Sequence, residues 1–231
     1  MKKVYIILIL IAMIALAAFL TSALDTALLG SAKWGLFAAL IGALICLAMF
    51  LEFESAAISS KEVALIAMLG TVSAVARVPF AAIPSVQPCT YLIICSGYVF
   101  GPVAGLTVGA ITPLVSNFFL GHGPWTLYQM IAWGFAGLSA GLLSRFHLNR
   151  LLLISIGLLW GYLYGCITNI WLWTSFVYPL TWKTFVVMEL NSIWFDTFHA
   201  IGNAVFLGAL GMKTIAILNR FKQRFSIAIL Q

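Results

Sequence analysis

The sequence predicts an all-α integral membrane protein, with a core bundle of six helices preceded by two accessory transmembrane helices. Three observations carry this prediction. The 231 residues are 63% hydrophobic and only 8% charged, with a mean hydropathy of +1.10, whereas ordinary globular domains carry about 25% charged residues. Apolar runs of helix length recur along the whole chain, and a helical span takes about 20 such residues. Within the runs polarity does not alternate, as it would in the roughly ten-residue segments of a transmembrane β-barrel.

The formal charge of +6 would point to nucleic acid in a soluble protein. Here the basic residues sit singly at helix ends, where membrane topology places them. No basic patch with interleaved aromatics is present, so a nucleic-acid partner is excluded. Cys46, Cys89, Cys95 and Cys166 form no CxxC pair and no Cys/His group with zinc spacing, so no metal is expected.

The first apolar run is Val4 to Leu24, preceded by Lys2 and Lys3. A basic start and Ser22-Ala23 give it some features of a signal peptide. Its length, and the second run that follows at Trp34 to Leu51, favour an uncleaved helix. Composition then changes through Glu52, Glu54 and the polar stretch to Glu62. The sequence therefore divides into residues 1–58, two accessory helices, and residues 59–231, the functional core with a short basic C-terminal tail.

The core opens at Ser59-Ser60-Lys61-Glu62, a helix start with serine as cap and an acid in the first turn. This helix is expected to reach about Val78 and to stop at Pro79. Along it Ala64, Ala67, Gly70, Thr71 and Ala74 place small residues at three- and four-residue spacing, which permits close helix approach in a membrane. Ala81 to Pro88 reads as a broken loop. Cys89 to Phe100 is short for a span, and so is expected to be tilted, kinked or partly re-entrant.

Gly101-Pro102 is a turn, after which Gly101, Gly105 and Gly109 form one face of a helix reaching Phe119. Pro113 lies inside that helix and is expected to kink it. Gly121 to Pro124 is a second sharp joint, with Pro124 suited to a first helical position. The helix after it carries Trp125, Gln129 and Trp133, then Gly134, Gly137 and Gly141 as a second small face, and ends at Arg145. A long helix from Leu151 to about Tyr178 contains Tyr162, Tyr164, Asn169, Trp171 and Trp173. After Pro179 to Lys183, a last helix spans about Phe185 to Leu218.

Charge tests the topology. With the N-terminus inside, nine basic residues (Lys2, Lys3, Lys61, Arg145, Arg150, Lys213, Arg220, Lys222 and Arg224) are cytoplasmic and three (Lys33, Arg77 and Lys183) lie outward. Positive charge concentrates on the cytoplasmic side of membrane proteins, so both termini are expected in the cytoplasm of a multi-pass plasma-membrane protein.

In that topology three joints face outward together: 81–88, 121–124 and 178–183. Polar and aromatic residues gather beside them: Arg77 and Gln87 at the first, Asn117, His122, Trp125 and Gln129 at the second, Asn169, Trp173 and Tyr178 at the third. Aromatic walls with a few aimed amides suit a polar-edged small molecule. An aromatic belt at the headgroups accounts for any single tryptophan; the whole set on one face fits a pocket better.

Ionisable residues inside a span are costly and are read first as functional. Asp196 is expected to face the bundle, with Arg77 as one possible ion-pair partner. Asp196 and His199 are three apart and share a helix face, which fits a structural hydrogen-bond network better than a proton relay. GxSxG, HExxH and GxxxxGK[ST] are all missing, so no catalytic residue is expected and any use of ATP belongs to a partner.

The core resembles the substrate-binding membrane subunit, or S component, of energy-coupling factor (ECF) vitamin transporters. The resemblance rests on KEVALIAMLGTVSAVARVPFAAIPSVQP, on GYVFGPVAGLTVGAITPLVSNFFLGHGPWTLYQMIAWGFAGLSAGLL, on YGCITNIW and on FDTFHAIGNAVF. It covers about Ser59 to Arg224, and its GxGPWTxxQM element is specific. It implies a six-helix bundle that binds a vitamin at its outer face. It also implies docking on a transmembrane coupling protein with two ATPases, and inward release of the vitamin by tilting. The chain itself then needs no cofactor. By position the docking face corresponds to Ala64, Ala67, Gly70 and Ala74, although a strict AxxxA is missing. PSVQP and GHGPWTLYQM are similar to the cobalamin-type branch, which implies a corrinoid ligand met by Gln87, Asn117, Gln129 and Asn169. Two other classes remain open: an ion-coupled carrier using Asp196, Glu189 and His199, and an intramembrane enzyme using Asp196 and His199.

Overall fold

The computed structural model describes residues 60–146 and 148–227, all within the compact unit Ser59–Gln231. The two accessory helices expected over 1–58, and their boundary with the core, lie outside the described residues.

Every regular element among the described residues is helical. Helix α1, Ser60–Arg77, carries Glu62 in its first turn and Arg77 in its last, each matching the sign of the helix dipole at its end. Pro79 cannot donate to the ladder, and the chain tightens into a 3-10 turn over Val78–Ala82 rather than stopping outright. Helix α2, Cys89–Phe100, has 12 residues. At 1.5 Å per residue it is about 18 Å long, short of the roughly 30 Å of a bilayer core. It is buried along most of its length, held inside the bundle rather than crossing alone.

Helix α3, Pro102–Leu120, lies between Gly101 and Gly121, whose φ angles are 98° and 96°, a region in which side chains other than hydrogen are strained. The helix runs unbroken through Pro113. Helix α4 spans Trp125–Leu142 and passes into a short 3-10 turn, Leu143–Arg145. Helix α5, Arg150–Phe176, is capped by Asn149, whose side chain accepts from the Leu152 N–H at 2.8 Å. Helix α6, Trp182–Phe206, starts three residues earlier than the sequence predicts because Thr181 and Thr184 form a capping box. It continues through a π-turn, Leu207–Gly211, into α7, Met212–Ile227. Counted as one rod, α6, the π-turn and α7 give the described core six helices.

Four helical segments, Lys61–Ala82, Pro102–Leu120, Arg150–Phe176 and Trp182–Gln223, are long and apolar enough to cross a membrane. Two hairpins dominate their packing, α3 with α4 and α5 with α6. The first closes on glycine: a Cβ on Gly105 would strike the Gly137 backbone, one on Gly109 the Trp133 backbone, and one on Gly141 the Pro102 backbone. The second closes the same way through Gly157, Gly161 and Gly165 of α5, which lie against Asn203 with Leu207, Ala200 and Asp196. Small residues let helix backbones meet where lipid provides no hydrophobic drive for association.

Successive helices alternate in direction. The joints 78–88, 121–124 and 177–181 therefore lie at one end of the bundle, and Gly101 and 143–149 at the other. At that second end Tyr98 Oη donates to the Phe146 carbonyl at 3.0 Å, and Lys222 Nζ donates to the Val99 carbonyl at 2.6 Å.

Candidate functional site

At the end where the three joints lie, one cation organises the side chains. Arg77, in the last turn of α1, is 6% exposed. Its Nε donates to Gln87 Oε1 at 2.8 Å, and one terminal nitrogen donates to Ser116 Oγ at 2.7 Å and Asn117 Oδ1 at 2.8 Å. Asn117 is itself buried, and its Nδ2 donates onward to Thr126 Oγ1 and Gln129 Oε1, both at 2.9 Å. The Thr126 hydroxyl accepts from the Gly123 N–H at 3.3 Å and lies 3.5 Å from His122 Nδ1. Five residues singled out from sequence, Arg77, Gln87, Asn117, His122 and Gln129, thus belong to one network.

Beneath the guanidinium lies an aromatic tier. Arg77 Cζ stands 4.8 Å from the centroid of the Trp133 ring, within reach of a cation–π attraction. Trp133 is buried and donates through Nε1 to Thr90 Oγ1 at 2.9 Å, and the same hydroxyl lies 2.9 Å from His199 Nε2. Tyr164 closes the ring of contacts, its centroid 4.6 Å from both Trp133 and His199. The short helix α2 makes this possible. Because its first turn lies at the depth of Ser73, whose hydroxyl is 3.4 Å from the Cys89 carbonyl, Thr90 reaches the middle of the bundle.

The third joint is built separately. Trp125 meets Trp171 edge to face at 5.3 Å, linking α4 to α5. Asn169 turns away from the Arg77 network and donates to Ser192 Oγ at 2.7 Å, and Ser192 donates to Asp196 Oδ2 at 2.8 Å. Trp173 donates to Thr184 Oγ1 at 2.9 Å and packs on Phe185 at 5.3 Å. Glu189 lies beside Asn169, with its Oε1 buried and lacking a hydrogen-bond partner among the described residues.

One sequence expectation is corrected here. Arg77 does not pair with Asp196: it faces α3 and α4 and bonds neutral side chains, while Asp196 faces Gly165 of α5 and accepts from Ser192. Asp196 and His199 share a face of α6, yet their hydrogen bonds run to different neighbours, Ser192 and Thr90.

The small-residue set on α1 divides in two. Ala64 and Ala67 are exposed along with Thr71. Gly70 and Ala74 are buried, and a Cβ on Gly70 would come within 2.7 Å of Ile111 of α3. Ser116, Thr126 and Thr90 were not singled out from sequence. A serine or threonine within an apolar helix usually bonds its own backbone one turn back, as Thr107 does to Val103, so only the third dimension separates these three from the rest. For Thr126 a faint signal existed in its place within GPWTxxQ.

Neither a curated protein nor a solved structure matches the chain. The family model described as ECF transporter, substrate-specific component, matches residues 61–221, from the first turn of α1 to within α7. An all-helical membrane bundle with this match over well more than half its length belongs to the substrate-specific components of ECF transporters.

Proposed function

We propose that this subunit captures a vitamin or related micronutrient at the outer face of the membrane and delivers it inward while docked to a transmembrane coupling protein and two ATPases. The supporting observation is the buried network around Arg77 and Trp133, at the end of the bundle where the three joints meet. Buried polar side chains within a membrane bundle are expensive, and they are expected where a substrate is handled. The excess of basic residues on the α7 side of the chain supports placing this network outward and both termini in the cytoplasm.

Substrate-binding roles fall to Arg77, Gln87, Asn117, His122, Trp125 and Gln129 around the network, with Asn169 and Trp173 on the neighbouring hairpin. ATP is used by the partners, and the chain needs no cofactor of its own. Docking falls to the outward stripe of Ala64 and Ala67, extended by Thr71, whereas Gly70 seats α1 on α3 and Ala74 is buried. The resemblance of PSVQP and GHGPWTLYQM to the cobalamin-type branch supports a corrinoid as ligand, with the small residues Ala81, Ala82 and Ser85 leaving a wide mouth.

The test is the mass spectrum of the small molecule that co-purifies with the full chain, followed by calorimetry with cobalamin. A bound vitamin that is not a corrinoid removes the corrinoid assignment alone. Uptake in membranes that hold no ATPase partner removes the importer reading in favour of an ion-coupled carrier.

A further inference from the structure

The direction of the hydrogen bonds around Arg77 carries information about the ligand. A guanidinium only donates, so Gln87 and Asn117 must turn their carbonyl oxygens toward it, as they do. Asn117 then has only its amide nitrogen left for Thr126 and Gln129, and Gln129 receives it on its own oxygen. One arginine therefore orients three amides in sequence. Their acceptor atoms are turned inward onto the network; the Gln129 side chain also meets the buried Tyr164 hydroxyl, and the N–H group of Gln87 is left on the outside.

Two donors of this network take part in none of the hydrogen bonds among the described residues: the second terminal nitrogen of Arg77 and Nε2 of Gln87. Neither is among the buried atoms lacking a partner, so each keeps accessible surface. Arg77 also has no carboxylate partner among the described residues. The C-terminal ends of α1 and α3, both at this level, supply partial negative charge that tolerates the cation without neutralising it. Trp133 offers the face of its ring and no hydrogen-bond acceptor.

From this we infer that the ligand presents an anionic group, a carboxylate or a phosphate, to Arg77 and Gln87. A neutral amide would have to bring its own acceptor to donors that favour a full negative charge, since charge-assisted hydrogen bonds are about twice as strong as neutral ones. The inference rests on the outer-face reading above and adds the chemistry of the group that meets Arg77. A corrinoid would meet it through a phosphate, and smaller micronutrients through a carboxylate.

The experiment uses the full chain in detergent, exposed to a mixture of vitamins in matched pairs: pantothenate with panthenol, nicotinate with nicotinamide, biotin with biotinamide, and flavin mononucleotide with riboflavin. Cobalamin and phosphate-free corrinoids are included. After washing, the retained compounds are released and identified by mass spectrometry. Retention of the charged member of a pair is expected, with the pair itself telling carboxylate from phosphate. Arg77→Gln should abolish retention, but that variant can also fail to fold. Gln87→Glu therefore supplies the second arm, because it places a carboxylate on the guanidinium within the same shape. It should weaken retention by about ten- to a hundred-fold with an unchanged or higher melting temperature. Equal retention of charged and neutral members, or retention indifferent to Gln87→Glu, overturns the anionic group and leaves outer-face capture standing. Retention of nothing from the mixture overturns capture itself, and this inference with it.

Discussion

The hairpins α3–α4 and α5–α6 are joined by the same device and end differently. Each is closed by glycines four residues apart, Gly105 and Gly109 against Gly137 and Trp133 in one, Gly157, Gly161 and Gly165 against α6 in the other. The first is covered further by α1 and α2, so that Trp133, Asn117 and Ser116 are almost wholly buried. Among the described residues the second is covered on one side only. Along α6, Trp182 is 75% exposed, Trp194 71% and Leu190 65%. A glycine seam sets how closely two helices approach, and burial of a polar site needs third and fourth helices over it. The Arg77 network forms where those helices exist. On the α5–α6 hairpin the polar groups form only a short local chain, Asn169–Ser192–Asp196, and Glu189 Oε1 beside it lacks a partner among the described residues.

The sharpest way to break this comparison is at the seams. Gly137→Leu forces a side chain into the Gly105 backbone, which three neighbouring helices prevent from moving. A loss above about 3 kcal/mol is expected, read as failure to elute as a single folded species on size exclusion. Gly161→Leu meets Ala200 on a helix whose outer faces no other described helix covers, so α6 can shift outward. Its cost should stay within about 1–3 kcal/mol, measured as a lowered melting temperature in detergent. Equal losses would mean that the coverage of the hairpins does not matter.

Tryptophans at the mouth come next. Trp125→Ala removes the edge contact to Trp171 beside the network and should weaken ligand retention by about ten- to a hundred-fold. Trp173→Ala removes a contact internal to the outer part of α5–α6 and should change retention by less than about ten-fold. The reverse order, seen by calorimetry, would move the ligand from the network to the hairpin. The smallest effect on the bundle itself is expected on α1. Ala67→Leu lies on an exposed face and should alter stability within about 0.5 kcal/mol and leave ligand retention intact, while co-purification with the coupling protein is lost. Retained co-purification would displace docking from this stripe.

Much of the architecture was legible because breakers and glycines speak locally. Pro79, Gly101-Pro102 and Gly121 to Pro124 punctuate apolar runs, and each falls at an observed helix boundary. Arg77, Gln87, Asn117 and Gln129 stood out because amides and cations are rare in such a chain. The partner of Asp196 is Ser192, four residues back on the same helix; a distant cation in so apolar a chain suggested an ion pair with Arg77, although the i,i+4 spacing was there to be read. The spacing of Gly157, Gly161 and Gly165 was present in the sequence, but glycines among the bulky aromatics of a long helix do not by themselves say which helix they seat. Ser116 and Thr90 gave no signal, because a hydroxyl that bonds across the bundle looks the same in sequence as one that bonds its own backbone.

The π-turn over Leu207–Gly211 has a consequence for register. Asn203, Leu207, Gly211 and Ile215 are all buried and recur every four residues. In an uninterrupted α-helix each four-residue step drifts by about 40°, so three such steps would carry Ile215 well off the face that Asn203 occupies. The wider turn absorbs that drift, which keeps α7 against α2 with Lys222 on the Val99 carbonyl. One residue of surplus in the helix is thus taken up without altering the angular phase of the basic end. Deleting one residue within 207–211 would restore an even α-helix and leave that phase almost unchanged, since eleven residues turn through about 1,100°, within about 20° of three full turns. Inserting a further residue there would instead swing Lys222 away from its carbonyl by about 100° while the ligand end kept its own alignment.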